Sequence, residues 1–295
     1  MTQTDSPRGL ALAIATYVIW GFLPLYLREM AHIPPAEVIA HRILWSLPVA
    51  LGVLSARGGV GTVVATLRQP RLVRMAGLTA VLISVNWLIY VWAIANDHAL
   101  EAALGYYINP LFSVLLAGLL LGERLNRMQT AAIALAAAAV ALLTVASGGL
   151  PRVALGLTFS WGLYAYFKRS LPVPPNEGFT IEVLLLTLPA LGWIAWLAAT
   201  GRGHFGVNLH DTLFLIGSGV VTAVPLMLYA NAAKLVRLST MGIMQYITPT
   251  MVFLTAVLVF HEPFEGVRRI AFPMIWMALA LYSAALLRRR ARPAA

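Results

Sequence analysis

Apolar residues run along this chain in long unbroken stretches rather than in short periodic stripes. A helix needs about 20 mostly apolar residues to cross roughly 30 Å of hydrocarbon. A window of that length picks out ten segments, at about residues 9–27, 36–56, 73–95, 99–121, 128–146, 152–171, 178–199, 211–231, 239–260 and 267–287. Barrel strands would instead alternate apolar and polar residues over about ten positions. Stretches such as 130–145 are continuously apolar and rich in Ala and Leu, which favours helix. The connections are short, the longest covering about residues 56–72, and leave no room for a soluble domain. The first segment follows Arg8 as a secretory signal would. It is too long for a signal core and continues through Trp20-Gly21-Phe22-Leu23 without a convincing cleavage site, so it reads as the first span. The predicted fold class is an all-α integral membrane protein of ten helices.

Composition strengthens that reading. Of 295 residues, 60% are hydrophobic and 11% charged, against roughly 45–50% and 25% in soluble domains. A water-soluble enzyme is excluded. The net charge of +10 would suit a nucleic acid only if the basic residues formed one patch or arm. They are spread over the loops instead. With the N-terminus cytoplasmic, the inner segments hold 15 Lys and Arg: Arg8, Arg57, Arg68, Arg71, Arg74, Arg124, Arg127, Lys168, Arg169, Lys234, Arg237, Arg288, Arg289, Arg290 and Arg292. The outer segments hold five: Arg28, Arg152, Arg202, Arg268 and Arg269. Cytoplasmic loops carry the excess of Lys and Arg, so both termini are expected inside a plasma or inner membrane. The partner is the lipid bilayer, with no nucleic acid. The absence of cysteine removes disulfides, thiol redox chemistry and Cys-type metal sites.

The chain also repeats itself. An offset of 139 aligns residues 86–125 with 225–264 without a gap and matches nine positions, among them Tyr90/Tyr229, Tyr107/Tyr246, Ile108/Ile247, Pro110/Pro249 and Glu123/Glu262. Earlier in each half the offset becomes 141, pairing Trp20-Gly21 with Trp161-Gly162, Arg28 with Arg169 and Leu47-Pro48 with Leu188-Pro189. The two halves, 1–147 and 148–295, then hold five spans each. Five is odd, so the second half enters the membrane from the opposite side and the repeat is inverted. Inverted repeats around a midplane site are the architecture of many secondary transporters, because mirrored halves can rock to open either face.

Polar residues inside spans are expensive and commonly face a cavity or a partner helix. Asn86, Tyr90 and Ala93 share one helix face, as do Tyr106, Asn109, Pro110 and Ser113. Their counterparts in the second half include Tyr229, Gln245, Thr248 and Pro249. Trp20, Trp161, Tyr17, Tyr107, Tyr164 and Tyr246 form either aromatic walls or interfacial belts. Proline within a span removes a backbone donor and frees a carbonyl, which makes the paired Pro48/Pro189 and Pro110/Pro249 candidate helix breaks for gating. Arg42, next to His41, lies about 9 Å into its span. It either holds a substrate carboxylate or phosphate, pairs with an acid such as Glu37 or Glu101, or snorkels to the headgroups. His41, its repeat counterpart Glu182, and Glu101 are the candidates for carrying a coupling proton. Gly118-x-x-x-Gly122 permits close helix packing.

Catalytic motifs are missing. No G-x-x-x-x-G-K-[ST] is present, so ATP hydrolysis within the chain is not expected. No H-E-x-x-H is present, and the six histidines lie scattered along the sequence. No cofactor or metal is expected, and the chain is not expected to be an enzyme.

Several stretches now resemble a known family. Trp20-Gly21, His41-Arg42-Ile43-Leu44-Trp45-Ser46, residues 86–93 and 101–111, Leu121-Gly122-Glu123-Arg124, and residues 237–250 are similar to the RarD group of the EamA family, within the drug/metabolite transporter superfamily. The resemblance covers about residues 9–287. It implies ten spans, two EamA repeats, cytoplasmic termini and an inner-membrane permease. One departure is visible: His261 stands where a glycine ordinarily precedes the Glu. The leading expectation is a secondary transporter, exporting small metabolites or drugs by alternating access. An intramembrane lipid-modifying enzyme using His41 and Glu182 is the second reading, and a pore or non-transporting membrane partner the third. The substrate is a small molecule; monomer and homodimer stay open.

Overall fold

The computed structural model describes residues 5–121, 125–236 and 238–291. Gly122, Glu123, Arg124, Arg237 and Arg292 lie outside the described residues, as do the side chains of Leu121, Leu238, Ser239, Arg288, Arg289 and Arg290. Helices succeed one another as α1 (Pro7–Arg28), α2 (Pro35–Arg57), α3 (Val60–Leu67), α4 (Pro70–Ala95), α5 (Ala99–Leu121), α6 (Arg127–Ala146), α7 (Arg152–Ser170), α8 (Pro175–Ala199), α9 (Leu209–Leu235), α10 (Leu238–Met244), α11 (Ile247–Leu254) and α12 (Arg268–Ala291), with a π-helical turn at Thr255–Val259 directly after α11. No strand occurs among the described residues.

Local chemistry sets the helix starts. Pro7, Pro35, Pro70 and Pro175 occupy first-turn positions, where a missing N–H costs nothing. The Ser6 hydroxyl accepts from Gly9 N at 3.0 Å. Asn126 and Gln129 form a reciprocal capping box at α6. The long connection expected over residues 56–72 contains α3, whose 8 residues are too few for a membrane-length window to register.

Eight helices among the described residues are long and apolar enough to cross a membrane: α1, α2, α4, α5, α6, α8, α9, and the α10–α11–π stretch taken as Thr240–Val259. The segments expected at 152–171 and 267–287 are helical as α7 and α12 but stand outside that set. Large apolar side chains cover the outside of the bundle, including Phe22, Leu119, Val145, Leu188 and Ile270, each at least half exposed. In water such a surface would aggregate; against hydrocarbon it is at home. The chain is a multi-pass membrane protein.

Helices α2, α5 and α8 run unbroken through Pro48, Pro110 and Pro189. This corrects the expectation that these prolines interrupt their spans. A proline deletes one backbone bond, and the rest of the helical ladder can hold on either side of it. The break falls instead at Gln245-Tyr246, between α10 and α11. Pro249 then sits in the first turn of α11, where its absent N–H needs no partner.

The packing has an internal correspondence. α1 lies on α9 as α7 lies on α4; α7 lies on α5 as α1 lies on α11; α2 packs with α8, and α6 with α12. Close approaches match at single residues. A Cβ added to Gly21 would collide with Met251, and one added to Gly162 would collide with Phe112. Likewise Asn86 Nδ2 donates to Leu157 O at 3.2 Å, and Thr16 Oγ1 lies 3.5 Å from Pro225 O.

One end of the bundle gathers the histidines, which are scattered only in the sequence. His32 and His210 approach Asp211 at 3.0 and 3.3 Å, His210 also approaches Glu29 at 3.5 Å, and His204 approaches Glu37 at 2.8 Å. Arg28 pairs with Asp97 at 2.7 Å, and His98 lies 3.5 Å from Glu101. Glu262 accepts from Ala99 N at 2.6 Å and Leu100 N at 2.9 Å. Burial pushes the Glu262 carboxyl up from its ordinary value, against the pull of those two N–H groups. No group of three or more His, Asp or Glu among the described residues could hold a metal ion.

Candidate functional site

Most of the polar residues that the helical spacing placed on single faces, Ser113 excepted, meet inside the bundle. They enclose a cavity of about 110 Å³. Helix α1 supplies Tyr17, Trp20 and Leu23; α2 supplies Arg42; α4 supplies Asn86, Trp87 and Tyr90; α5 supplies Tyr106 and Asn109. From the second half come Trp161 of α7, Thr222 and Leu226 of α9, and Gln245, Thr248 and Pro249 at the α10–α11 break.

Asn86 is held by two acceptors on α7, Leu157 O at 3.2 Å and Ser160 Oγ at 3.0 Å. Its own carbonyl faces the Tyr106 hydroxyl at 3.4 Å. The Tyr90 and Tyr106 rings meet edge to face, 5.5 Å between centroids. Across the cavity, Thr248 donates to Tyr17 O at 2.9 Å, and the Tyr17 hydroxyl donates to Met241 O at 3.2 Å. Gln245 Nε2 donates to Gly242 O at 2.9 Å, bracing the broken helix.

Arg42 is the charged member of this wall, and it is 3% exposed. Its Nε donates to Thr222 Oγ1, which donates onward to Ser218 O at 2.7 Å. The guanidinium carbon lies 5.1 Å from the Trp87 ring centroid, a cation–π contact. Nη1 of Arg42 and Oδ1 of Asn109 are both buried without a hydrogen-bond partner. The backbone beneath is pinned by Ser46, whose hydroxyl donates to Arg42 O at 2.7 Å and Gly219 O at 3.1 Å.

The ion pair expected as one alternative for Arg42 is not formed. Glu37 is taken by His204, through the ring at 2.8 Å and the backbone N–H at 2.6 Å. Glu101 caps α7, accepting from Val153 N at 2.8 Å and Ala154 N at 3.3 Å. Nor does Arg42 snorkel, since its side chain is enclosed.

Of the other residues singled out by sequence, Asn86, Tyr90, Tyr106, Asn109, Gln245, Trp20, Trp161 and Pro249 line the cavity. Tyr229 stands behind the wall with its ring 5.8 Å from that of Trp20 and 6.3 Å from that of Tyr17. His41 faces away: its ring stacks on Phe205 at 4.8 Å, and its Nδ1 accepts from Trp45 Nε1 at 3.3 Å. Glu182 is bonded to Lys168 Nζ at 2.6 Å and approached by the Tyr164 hydroxyl at 3.4 Å. Glu101, Pro48, Pro110 and Pro189 lie outside the lining. Sequence reasoning missed Trp87 and Thr222 as cavity residues. Thr222, one turn before Pro225 in a span, carried a weak signal; Trp87, beside Asn86, looked like one more apolar residue.

Residues 7–145 match the model of the EamA-like transporter family. An uncharacterized transporter of Vibrio cholerae is 40% identical over 283 residues, covering 95% of this chain and 93% of that protein. Protein RarD of Escherichia coli is 37% identical, covering 96% of each. The uncharacterized transporter YojE of Bacillus subtilis is 38% identical, again covering 96% of each. One crystal structure superposes with a TM-score of 0.61 over 98% of this chain and 100% of that one, at 23% identity, a likeness of fold.

Proposed function

The chain belongs to the RarD group of the EamA-like transporter family, and from that premise we propose that it is a secondary transporter moving a small organic solute through the central cavity by alternating access. The observation that carries this is the cavity itself, enclosed by helices of both halves and lined by polar and aromatic side chains in an otherwise apolar bundle. Its volume and central place suit a solute site rather than a continuous pore. Arg42, Asn86, Tyr90, Tyr106, Asn109, Gln245, Trp20 and Trp161 are the proposed solute contacts.

The finer architecture is ten spans in two inverted five-helix halves, divided at residues 147 and 148. It is supported by the matched glycine approaches, Gly21 on Met251 and Gly162 on Phe112. These pairs are related by the same offsets, 141 and 139, that align the sequence repeat. Both termini are assigned to the cytoplasm on the loop charges. Glu182, Glu101 and His41, all bonded away from the cavity, are assigned to holding the bundle rather than to proton coupling.

An intramembrane lipid-modifying site built on His41 and Glu182 is disfavoured. His41 stacks on Phe205, just beyond the C-terminal end of α8, whereas Glu182 lies near its N-terminal end. About 25 Å of helix separates Glu182 from Ala199 at that C-terminal end, at 1.5 Å per residue, so the two groups do not act on one atom.

Counterflow into proteoliposomes tests the transport reading. Vesicles preloaded with a panel of unlabelled metabolites and drugs should accumulate the matching labelled solute, and the uptake should saturate. Uptake that rises linearly with concentration would indicate a pore. No uptake of any solute by correctly inserted protein would overturn the reading.

A further inference from the structure

The cavity wall contains two unsatisfied polar atoms of opposite kind. Arg42 Nη1 is a charged donor and Asn109 Oδ1 an acceptor, and both residues are at least nine-tenths buried. Among the described residues no Asp, Glu, Lys or His lines the cavity, so the guanidinium carries the one formal charge in that lining. A buried charge without a counter-ion is costly. A solute that brings a carboxylate gains the interaction Nη1 lacks; a neutral solute gains less, and a cation is repelled. Because Nε is already committed to Thr222, the two terminal nitrogens of the guanidinium, Nη1 among them, are the donors left for an incoming oxygen, in a charge-assisted bond.

The remaining wall restricts the body of the solute. Trp20, Trp87, Tyr90 and Trp161 present flat faces and edges, which favour a ring in offset or edge-on contact. The cavity of about 110 Å³ is of the order of the ~150 Å³ cavity that accepts benzene. Size therefore favours one ring with small substituents. Asn109 Oδ1 asks for a hydroxyl or amino donor on the same molecule, since a buried acceptor left unpaired penalises a ligand that does not reach it.

Resting on the transport reading of the same cavity, we propose that its substrates are single-ring aromatic carboxylates bearing a hydrogen-bond donor, with the carboxylate on Arg42 and the donor on Asn109. Calorimetric titration of the purified full-length protein with 4-hydroxybenzoate, benzoate, 4-hydroxybenzamide and benzylamine tests it. 4-Hydroxybenzoate should bind saturably, benzoate more weakly, 4-hydroxybenzamide at least about tenfold more weakly, and benzylamine not at all. In Arg42→Gln the preference for the carboxylate over the amide should vanish. The ligand series on the unaltered protein decides the matter even if that variant does not fold. Equal binding of amide and carboxylate, an unchanged preference in folded Arg42→Gln, or no binding of either carboxylate would overturn the proposal. Counterflow separates its failure from that of the transport reading. If another solute is carried while the carboxylates neither bind nor compete, the substrate class is wrong and transport stands. If 4-hydroxybenzoate binds but neither it nor any other solute is carried, the site stands and transport falls.

Discussion

Single residues in this bundle divide into those that face the cavity and those that hold the wall behind it. Glu182 and Lys168 belong to the second kind: they meet at 2.6 Å with Glu182 almost wholly enclosed. Removing one partner of a buried pair strands the other charge, at a cost of about 3–5 kcal/mol, whereas replacing both by apolar residues is often neutral. Lys168→Met should therefore lower the melting temperature in detergent sharply, and Lys168→Met with Glu182→Leu should recover most of the loss. Transport retained by the stable double variant would mark the pair as structural; transport lost despite recovered stability would give Glu182 a direct role. Gly219 offers a steric counterpart. A Cβ there would stand 2.5 Å or less from backbone atoms of Trp45 and Ser46, which have no rotamer to change. Gly219→Ala should cost about 1–3 kcal/mol, while Gly77→Ala, with nothing within 4 Å, should be tolerated or stabilising. At this scale the sequence was a good guide to faces and a poor one to partners. Helical spacing alone aligned Asn86 with Tyr90, and both line the cavity. The acceptor for Arg42 lies 180 residues away, and no local pattern encodes it.

Helices of a membrane bundle still need their terminal N–H groups satisfied, and here the acids of neighbouring segments do this. Glu262 reaches the start of α5, and Glu101 the start of α7. Glu262→Ala leaves two buried donors without partners. It should destabilise the fold by about 1–3 kcal/mol, read as a lower melting temperature, with Glu262→Gln retaining part of the loss because its carbonyl still accepts. Immediately before it, His261 adopts φ 55°, a left-handed conformation that disfavours any residue with a Cβ by about 1–2 kcal/mol. His261, at the position where the resemblance leads one to expect a glycine, is thus a point of backbone strain. His261→Gly should raise the melting temperature by a few degrees, and no gain would show that contacts of the ring offset the strain. Of the four prolines named as candidate helix breaks, Pro249 lies within one turn of the break at Gln245-Tyr246 and the other three do not interrupt their helices. Apolar continuity says that a segment stays in the membrane, not that its helix is continuous, and α10, α11 and the π turn are all apolar enough to pass as one span.

On the scale of the whole molecule, the open question of architecture turns on α7 and α12. Among the described residues eight helices qualify as spans by length and apolarity and these two do not; α7 ends in Lys168-Arg169-Ser170 and carries Thr158 and Ser160, which bond to α5 and α4. Yet its 19 residues reach about 28 Å at 1.5 Å each, close to the hydrocarbon thickness, and it packs between α4 and α5 with Trp161 at the cavity. A helix sheltered by its neighbours does not need the apolarity of one that faces lipid, which is why a composition criterion undercounts interior spans. The absence of cysteine makes the question answerable, since each introduced thiol is the only one in the chain. Ser147→Cys and Pro172→Cys sit at exposed positions flanking α7. If α7 crosses the membrane, a membrane-impermeant maleimide applied to intact cells should label one and spare the other until the cells are lysed. If α7 lies along one face, both should label from the same side. Arg68→Cys and Val207→Cys, in the connections before α4 and before α9, calibrate the two sides: the inverted ten-span arrangement places Pro172 with Arg68 and Ser147 with Val207. Labelling of Ser147 together with Pro172 would dismantle the inverted repeat, and with it the reason for two rocking halves around Arg42.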